Sequence, residues 1–301
     1  MTKVNFKWRR VNRNYFIKNY DLVWTNLFNN EQTIIIDDKN DTCRFCGKTK
    51  KEVKFTNKCH AVPEFLGNKT IITKNECDNC NHKYANLLED ELSKFTLPTR
   101  LMTRVYGKTG IPKYKNNNSR MEFSNIFKIN ATEEFLKIDE QNKNIELKFK
   151  VQTFTPIKAY KALVRIALNC LPKKYFDKFK NIEWLENDED LNWATGLYTT
   201  IINEFFPIMP PSLFVRKKDK IKVPYCQMVL QFNNNFIQVI IPFLEQDKQL
   251  SKFKEINIYP FYIFKKKQKN IKINLIGLSS KEKEKLSYNC SFKYYNKKET
   301  I

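Results

Sequence analysis

Reactive side chains are concentrated in one short window of this 301-residue chain. Residues 43–95 contain both of its histidines, His60 and His82, and five of its eight cysteines. Thiolate and imidazole groups are the side chains that bind transition metals and move protons most readily near neutral pH. The window is therefore the first place to look for a metal site or a catalytic centre.

Two Cys-x-x-Cys pairs bracket this window, Cys43 with Cys46 and Cys77 with Cys80. A Cys-x-x-Cys pair in a tight turn, here permitted by Gly47, directs both sulfurs at one ion. Four thiolates complete the tetrahedral coordination of Zn²⁺, so the pattern predicts a closed, structural zinc site.

The alternative is a pair of disulfide bonds. The N-terminal sequence is polar and basic, without the apolar segment of a secretory signal peptide. We therefore expect a cytoplasmic protein, because thiols stay reduced in that compartment and this cysteine spacing then favours metal binding.

An ordered motif lies between and just after the two pairs. Between them the sequence reads Cys59-His60-Ala61-Val62-Pro63-Glu64-Phe65-Leu66-Gly67-Asn68. The second pair lies in Glu76-Cys77-Asp78-Asn79-Cys80-Asn81, and a helix is predicted over residues 83–95. Over residues 43–95 this order resembles the zinc-knuckle form of the HNH endonuclease family.

The resemblance implies a ββα-metal nuclease, in which a hairpin carries the first histidine and a helix packs across it. His60 would be the general base that deprotonates the attacking water, and a neutral imidazole suits that task. Asn81 would bind or orient a catalytic Mg²⁺ or Mn²⁺. Glu64 and Glu76 are further candidate ligands, and Asp78 and Glu89 are other carboxylates that could replace a missing one, because oxygen donors suit a hard cation that stabilises a leaving oxygen.

Two features depart from the family pattern. The residue before the histidine is usually acidic or a second histidine, whereas here it is Cys59, whose sulfur is poorly matched to Mg²⁺. Neither Asn68 nor Asn75 falls on the usual spacing of the family's middle asparagine. The alternative function is therefore a zinc-dependent nucleic-acid-binding module, or a regulatory subunit, that does not catalyse.

Single residues also have plainer interpretations. His60 could be a spare zinc ligand or a hydrogen-bonded core histidine, and Asn81 could be only a helix N-cap. His82 is predicted to face solvent. Glu89 and the two acidic residues after it are predicted to form a solvated helix face.

The balance of charge predicts a polyanionic partner. Lys and Arg number 54 against 32 Asp and Glu, a formal net charge of +22. Nucleic acid, with DNA favoured, is the simplest such partner. A membrane is not expected, because no run approaches about 20 apolar residues. An oligomer or a partner protein stays open.

A basic stretch follows the motif. Residues 95–120 contain no Asp or Glu. Its cationic side chains are predicted to contact the phosphate backbone of nucleic acid; those singled out are Arg100, Arg104, Lys108, Lys113 and Lys115. The alternative is a solvated linker.

The chain as a whole is predicted to be α+β. We expect a basic N-terminal segment over residues 1–40, an HNH ββα-metal zinc module over 41–97, and a mixed α/β body with an antiparallel sheet over 98–301. Within the body, a Pro-initiated helix is predicted over 156–171. A hairpin with an Asn-rich turn is predicted over 225–243.

The N-terminal segment interleaves basic residues with Trp8, Tyr15 and Phe16. It could be an arm that contacts phosphates and stacks on bases, or an ordinary element whose aromatic side chains pack on the body. The family resemblance further suggests bacterial defence or a mobile element as the biological setting.

Overall fold

A computed structural model of the protein describes most of the chain. The described residues are 5–8, 13–26, 32–116, 119–150, 152–179, 181–187, 194–200, 211–218, 223–242, 245–247, 250, 255–258, 261, 274–285 and 287–294. Much of the predicted N-terminal arm, including Arg9 and Arg10, lies outside them.

The strands of the described part are numbered β1 to β17 in chain order. They are Asn5–Trp8, Tyr20–Thr25, Ile34–Ile36, Cys59–His60, Ile71–Thr73, Tyr114–Asn116, Ser119–Phe123, Phe127–Ala131, Leu136–Asp139, Asn144–Lys150, Thr195–Thr200, Ser212–Arg216, Cys226–Phe232, Asn235–Ile241, Glu255–Ile258, Asn274–Gly277 and Ser287–Lys293.

The helices are numbered α1 to α5. They are Arg13–Asn19, Asp78–Tyr84, Asp90–Met102, Pro156–Cys170 and Lys173–Phe176. Short 3₁₀ turns and one π-helical turn complete the helical structure of the described residues; the 3₁₀ turns are Glu64–Leu66, Ile182–Leu185 and Glu245–Asp247, and the π turn is Ala85–Glu89. Strands and helices in these proportions confirm the predicted α+β class.

The cysteine window folds around a small sheet with the strand order β3-β5-β4. Strands β4 and β5 are antiparallel and place His60 opposite Ile72, whereas β3 runs parallel to β5. Val62 and Ile71 from the hairpin share a buried cluster with Leu88 from the helical segment that follows. A hairpin with a helix packed across it is the predicted ββα arrangement.

The helical segment after the second cysteine pair is longer than predicted. Helix α2, the π turn and α3 run on without a break from residue 78 to 102, whereas the sequence predicted 83–95. Pro98 lies inside α3 and removes one backbone donor. Because Phe95 before the proline and Leu101 beyond it are both buried, packing of the apolar face outweighs that loss.

Helix α4 joins the cysteine window to the rest of the protein. It ends at Cys170, one residue before the predicted end, and nearly all of its side chains are buried. One side of α4 contacts α3 and the π turn, and another contacts β14. At β14 the hydroxyl of Tyr160 donates to the carbonyl of Ile240 at 2.6 Å. Because α4 is buried on nearly all sides, it lies between two layers of the protein.

The largest sheet has the strand order β16-β11-β14-β13-β12-β2. All of its pairings are antiparallel, as predicted for the body. The β13–β14 hairpin confirms the predicted Asn-rich turn, in which Asn233 adopts a φ of 49°, a conformation that Asn tolerates better than most residues.

Strand β2 brings part of the N-terminal segment onto this sheet, where it pairs with β12. Phe16, just before β2, is buried and stacks on Tyr20 with ring centroids 4.6 Å apart. Its ring also meets Phe214 edge-on at 4.8 Å. For Phe16 the structure therefore bears out packing on the body rather than stacking on bases.

Smaller sheets flank this core. Strands β6, β7 and β8 form an antiparallel meander, β17, β10 and β9 form another antiparallel sheet, and β1 pairs with β15 in parallel. Among the described residues, no helix has the length and apolar character needed to cross a membrane.

Arg44, in the first cysteine turn, ties the window to the end of α4. Its guanidinium donates to the carbonyls of Leu168 and Leu171 at 2.7 and 2.9 Å and pairs with Asp38. Carbonyls at a helix C-terminus lack intrahelical donors, so a cation there is stabilising. A single buried cluster also extends from the window through α4 to the large sheet. The division at residues 40 and 97 stays a prediction.

Candidate active site

The four cysteines of the two Cys-x-x-Cys pairs converge on one point. The sulfurs of Cys43, Cys46, Cys77 and Cys80 all lie within 4.8 Å of one another, and those of Cys46 and Cys77 are 3.8 Å apart. Tetrahedral zinc with Zn–S bonds of about 2.3 Å requires sulfurs about 3.8 Å apart. The cluster therefore fits zinc, in a closed site without an open coordination position.

The turn around the first pair explains how these sulfurs are held. Gly47 adopts a φ of +70°, which glycine reaches without steric cost, and its N–H donates to the carbonyl of Cys43 at 3.0 Å. Hydrogen bonding with Cys80 lowers the pKa of the Cys43 thiol well below its usual range. The same contact raises the pKa of Cys80, so the thiols of the cluster share their protons, and metal binding requires each of them as a thiolate.

His60 lies on β4 at the start of the hairpin. Its Nε2 is 3.7 Å from Oε1 of Glu64, four residues further along the chain. Its Nδ1 is buried and makes no hydrogen bond to the described protein. Burial, with Lys58 and Lys108 nearby, lowers the pKa of His60, although Glu64 acts in the opposite direction. His60 is therefore neutral at pH 7 and able to accept a proton.

Asn68 fixes the loop that follows His60. Its side chain is completely buried, and its amide donates to the carbonyls of Val62 and Ile71. Its carbonyl oxygen accepts from the backbone N–H groups of Thr70 and Ile71 at 3.1 and 2.9 Å. One buried amide thus closes the hairpin loop with four hydrogen bonds and sets the position of His60. Sequence spacing alone did not select Asn68 for this role.

Glu76 does not line an open site, which corrects its assignment as a candidate ligand of the catalytic cation. Its carboxylate is fully buried and pairs with Arg165 of α4 through contacts of 2.6 and 2.7 Å. The amide of Asn169 adds a third donor at 3.2 Å. A carboxylate enclosed by these donors has no free direction from which to reach a cation.

Arg165 also reaches two residues of the helical segment. It pairs with Oε1 of Glu89 in the π turn, and its Nη2 lies 3.4 Å from Oδ1 of Asn81. The solvated acidic face expected at residues 89–91 is therefore wrong for Glu89. It is also wrong for Glu91, which accepts the backbone N–H of Thr155.

Asn81 and His82 lie within α2, whose N-cap is Cys77. The interpretation of Asn81 as an N-cap is therefore wrong. The side chain of Asn81 is partly exposed, and its carbonyl oxygen has a second lone pair besides the one directed at Arg165. His82 is exposed, as predicted, and contacts Asn86 of the next turn at 3.4 Å.

An open cleft of about 410 Å³ lies beside the hairpin, and we call it the Glu64–Glu89 cleft. Its walls include Glu64 from the hairpin loop, Glu89 and Ser93 from the helical segment, and Lys108 from the turn beyond α3. Two carboxylates in one cleft offer the oxygen donors that Mg²⁺ and Mn²⁺ prefer. Because Glu64 also contacts His60, the cleft and the histidine form one candidate active site.

Cys59 does not belong to this set of donors. Its thiol is buried and lies 3.6 Å from the backbone carbonyl of Glu76. Burial, reinforced by the charge of Glu76, raises the pKa of Cys59 to about 12. A neutral, buried thiol is a packing group rather than a ligand for a hard cation.

Of the five basic residues predicted to contact phosphates, four are exposed and one is buried. Arg104, Lys108, Lys113 and Lys115 are exposed; the guanidinium of Arg104 lies 4.0 Å from the centre of the Phe123 ring.

Lys113 pairs with Glu122 at 3.2 Å and is partly neutralised. Arg100 corrects the prediction, because it is buried. Its guanidinium donates to the hydroxyl of Thr96 and to the carbonyl of Ser93, so its main role is to pack the cleft wall.

Residues 43–97 match the family model described as HNH endonuclease. This segment is an HNH module of the zinc-knuckle form. Searches of curated proteins and of solved structures return no match to the chain. The module covers the hairpin, the zinc cluster and most of the helical segment, so the family assignment and the geometry of the site agree.

The HNH match stops well before Arg165, which sequence reasoning missed entirely. It lies 89 positions after Glu76 and inside an apolar helix, where its neighbours in sequence give no hint of a partner. The available signal was a row of polar residues at four-residue spacing in this helix, Lys161, Arg165 and Asn169, because an unpaired buried charge is too costly to be accidental.

Proposed function

We propose that the protein is a metal-dependent HNH endonuclease that hydrolyses phosphodiester bonds in DNA. One observation carries this proposal: His60 lies on the hairpin between the two cysteine pairs, with its Nε2 3.7 Å from Oε1 of Glu64, a carboxylate of the Glu64–Glu89 cleft. A base beside a cluster of oxygen donors is what assisted hydrolysis of a phosphodiester requires.

In the proposed reaction, His60 accepts a proton from the attacking water. The water oxygen forms a bond to phosphorus, the bond from phosphorus to the 3′ oxygen breaks, and that oxygen takes up a proton from solvent. Glu64 and Glu89, with Asn81, are the candidate ligands of one Mg²⁺ or Mn²⁺. When bound, the cation would supply a Lewis acid for the charge on the phosphate and on the leaving oxygen.

Lys108 supports the choice of a polyanionic substrate. It is exposed and lines the same cleft as the two carboxylates, where an ammonium can hold a phosphate oxygen. The net charge of +22 supplies the longer-range attraction. We propose DNA in the cytoplasm as the substrate, with bacterial defence or a mobile element as the setting.

A plasmid-nicking assay with zinc-loaded protein tests this function. We expect supercoiled DNA to be nicked or linearised with Mg²⁺ or Mn²⁺ and left intact with enough EDTA to remove that cation. No cleavage with either cation, over protein concentrations that saturate binding to the same plasmid, would exclude the endonuclease.

A second candidate function is a zinc-dependent nucleic-acid-binding module without catalysis. The observation in its favour is Cys59, a buried thiol at the position where the family usually has an acidic residue or a histidine. This candidate predicts tight DNA binding by the zinc-loaded protein, no nicking with either cation, and no effect of His60→Ala on affinity.

A further inference from the structure

We infer that Arg165 of the body is a positioning residue for the HNH site, through Glu89 and Asn81, and that the catalytic centre is therefore composite. This inference rests on the proposed function. Arg165 lies outside the segment that matches the HNH family, in a helix that belongs to the body.

Arg165 reaches more partners than a buried ion pair needs. Its Nε and Nη2 atoms already meet both oxygens of Glu76, at 2.6 to 3.1 Å. The remaining nitrogen, Nη1, extends to Glu89, and Nη2 also lies 3.4 Å from Asn81. Guanidinium is the one side-chain group with enough donors in a fixed plane to join all three partners.

Arg165 reaches the cleft through Glu89; Asn81, its other contact in the helical segment, is not among the residues that line the cleft. Only Oε1 of Glu89 is bound by Arg165, and Oε2 accepts no hydrogen bond from the described residues. Glu89 also lines the cleft. Arg165 therefore restricts the rotation of this carboxylate and leaves one oxygen for a cation in the cleft.

Arg165 also matters for the charges in the core. Glu76 and Glu89 together carry two negative charges, and Arg165 offsets one of them. In the cleft itself, Glu64 and Glu89 share the lining with Lys108 and Arg100. Without Arg165, Glu76 would keep an uncompensated charge in the core, at a high cost in stability.

The π turn is the structural device that brings Glu89 to Arg165. It spans residues 85–89, and Glu89 is its last residue, packed against α4. A π turn widens the helix locally and shifts the faces of the residues that follow it, and such turns occur frequently at functional sites. The body helix and the HNH helical segment therefore meet at the carboxylate that lines the cleft.

The test measures Mn²⁺ binding to zinc-loaded protein without DNA, by electron paramagnetic resonance of free Mn²⁺. Arg165→Lys keeps the charge but cannot reach three partners. The double variant Glu76→Met with Arg165→Met removes both members of the buried pair, which proteins often tolerate. Groups that orient ligands typically change metal affinity by about 10- to 100-fold, so we expect that weakening in both variants, with zinc content unchanged.

Arg44→Met is the matched control, because Arg44 is a buried arginine at the same junction but contacts neither Glu89 nor Asn81. We expect it to lower stability without changing Mn²⁺ affinity. Three results would overturn the inference. The double variant could bind Mn²⁺ with wild-type affinity, or Arg44→Met could weaken Mn²⁺ binding as much as the Arg165 variants do. The third such result is that the wild-type protein binds no Mn²⁺.

Plasmid nicking, measured in parallel, separates this inference from the proposed function. If the wild-type protein nicks DNA but the Arg165 variants bind Mn²⁺ normally, the endonuclease stands and the positioning role falls. If the variants lose Mn²⁺ affinity as expected but the wild-type protein does not nick DNA, the positioning role stands and the endonuclease falls.

Discussion

At the residue scale, His60 and Asn68 divide the work of the hairpin. His60 supplies a neutral imidazole whose pKa is lowered mainly by burial. Asn68 has no proposed role in the reaction, but its buried amide holds the loop that connects His60 to Glu64. A catalytic group is useful only where its position is fixed, so the effects of replacing these two residues should differ in kind.

Replacement of His60 tests the base. General-base catalysis typically contributes about 10²–10⁴-fold, so His60→Ala should slow plasmid nicking by about that factor, with zinc content and DNA affinity retained. His82→Ala is the control, because His82 is the other histidine of the chain and is exposed. A zinc-loaded His60→Ala protein that nicks as fast as His82→Ala would remove His60 from the mechanism. Loss of zinc from the His60→Ala protein would instead identify His60 as a zinc ligand.

Replacement of Asn68 tests the loop. Asn68→Ala leaves the carbonyls of Val62 and Ile71 without these donors, and an unsatisfied buried polar group costs about 1–3 kcal/mol. We expect urea denaturation to show at least that loss in the free energy of unfolding. Asn57→Ala, at an exposed asparagine before the same hairpin, should change it by less than about 0.5 kcal/mol. Equal midpoints would contradict the role of Asn68.

At the element scale, the sequence predicted the helices and strands whose formation depends on residues close together in the chain. The Pro-initiated helix α4 and the Asn-rich hairpin follow from propensity and periodicity, and both are where the sequence placed them. The predicted end of α3 at residue 95 was too early. The helix continues through Pro98 because Leu101 is buried, and that burial depends on residues distant in the chain. The zinc cysteines were recognisable by spacing, whereas Arg165 and Glu89 meet only through tertiary packing.

The exposed basic residues beyond α3 form the element-scale prediction. Arg104, Lys108 and Lys115 are exposed, and if they contact phosphates their replacement by Gln should weaken DNA binding for all sequences. The slope of log affinity against log salt should decrease by about 0.9 for each phosphate of duplex DNA that the variant no longer neutralises. Lys113 should contribute less, because Glu122 partly neutralises it.

The control for this measurement removes the same number of charges elsewhere. Lys137, Lys283 and Lys285 are exposed, and they lie in β9 or near the start of β17. Their replacement by Gln should lower the affinity slightly through net charge and leave the salt slope almost unchanged. An equal change of slope in the two triple variants would identify the stretch as a solvated linker.

At the scale of the whole molecule, the HNH module is built into the body rather than appended to it. Arg44 and Arg165 cross the junction from opposite directions, one to the carbonyls at the end of α4 and one to the carboxylates of the module. Tyr84 and Lys83 add contacts to Glu186. Charged groups that are mutually satisfied across a buried junction couple the two parts energetically.

This coupling makes zinc a determinant of the stability of the whole chain. Zinc-binding energy is folding energy at such sites, and one buried cluster extends from the cysteines to the large sheet. We therefore expect calorimetry to show a single unfolding transition for the wild-type protein. In Cys43→Ser the temperature of this transition should be greatly lowered, or the transition should be absent. Chelation of zinc should do the same in the wild-type protein. Cys290→Ser is the control, because Cys290 lies in β17, away from the four-cysteine cluster. Two separate transitions, of which only one responds to chelation, would show instead that the module and the body unfold independently.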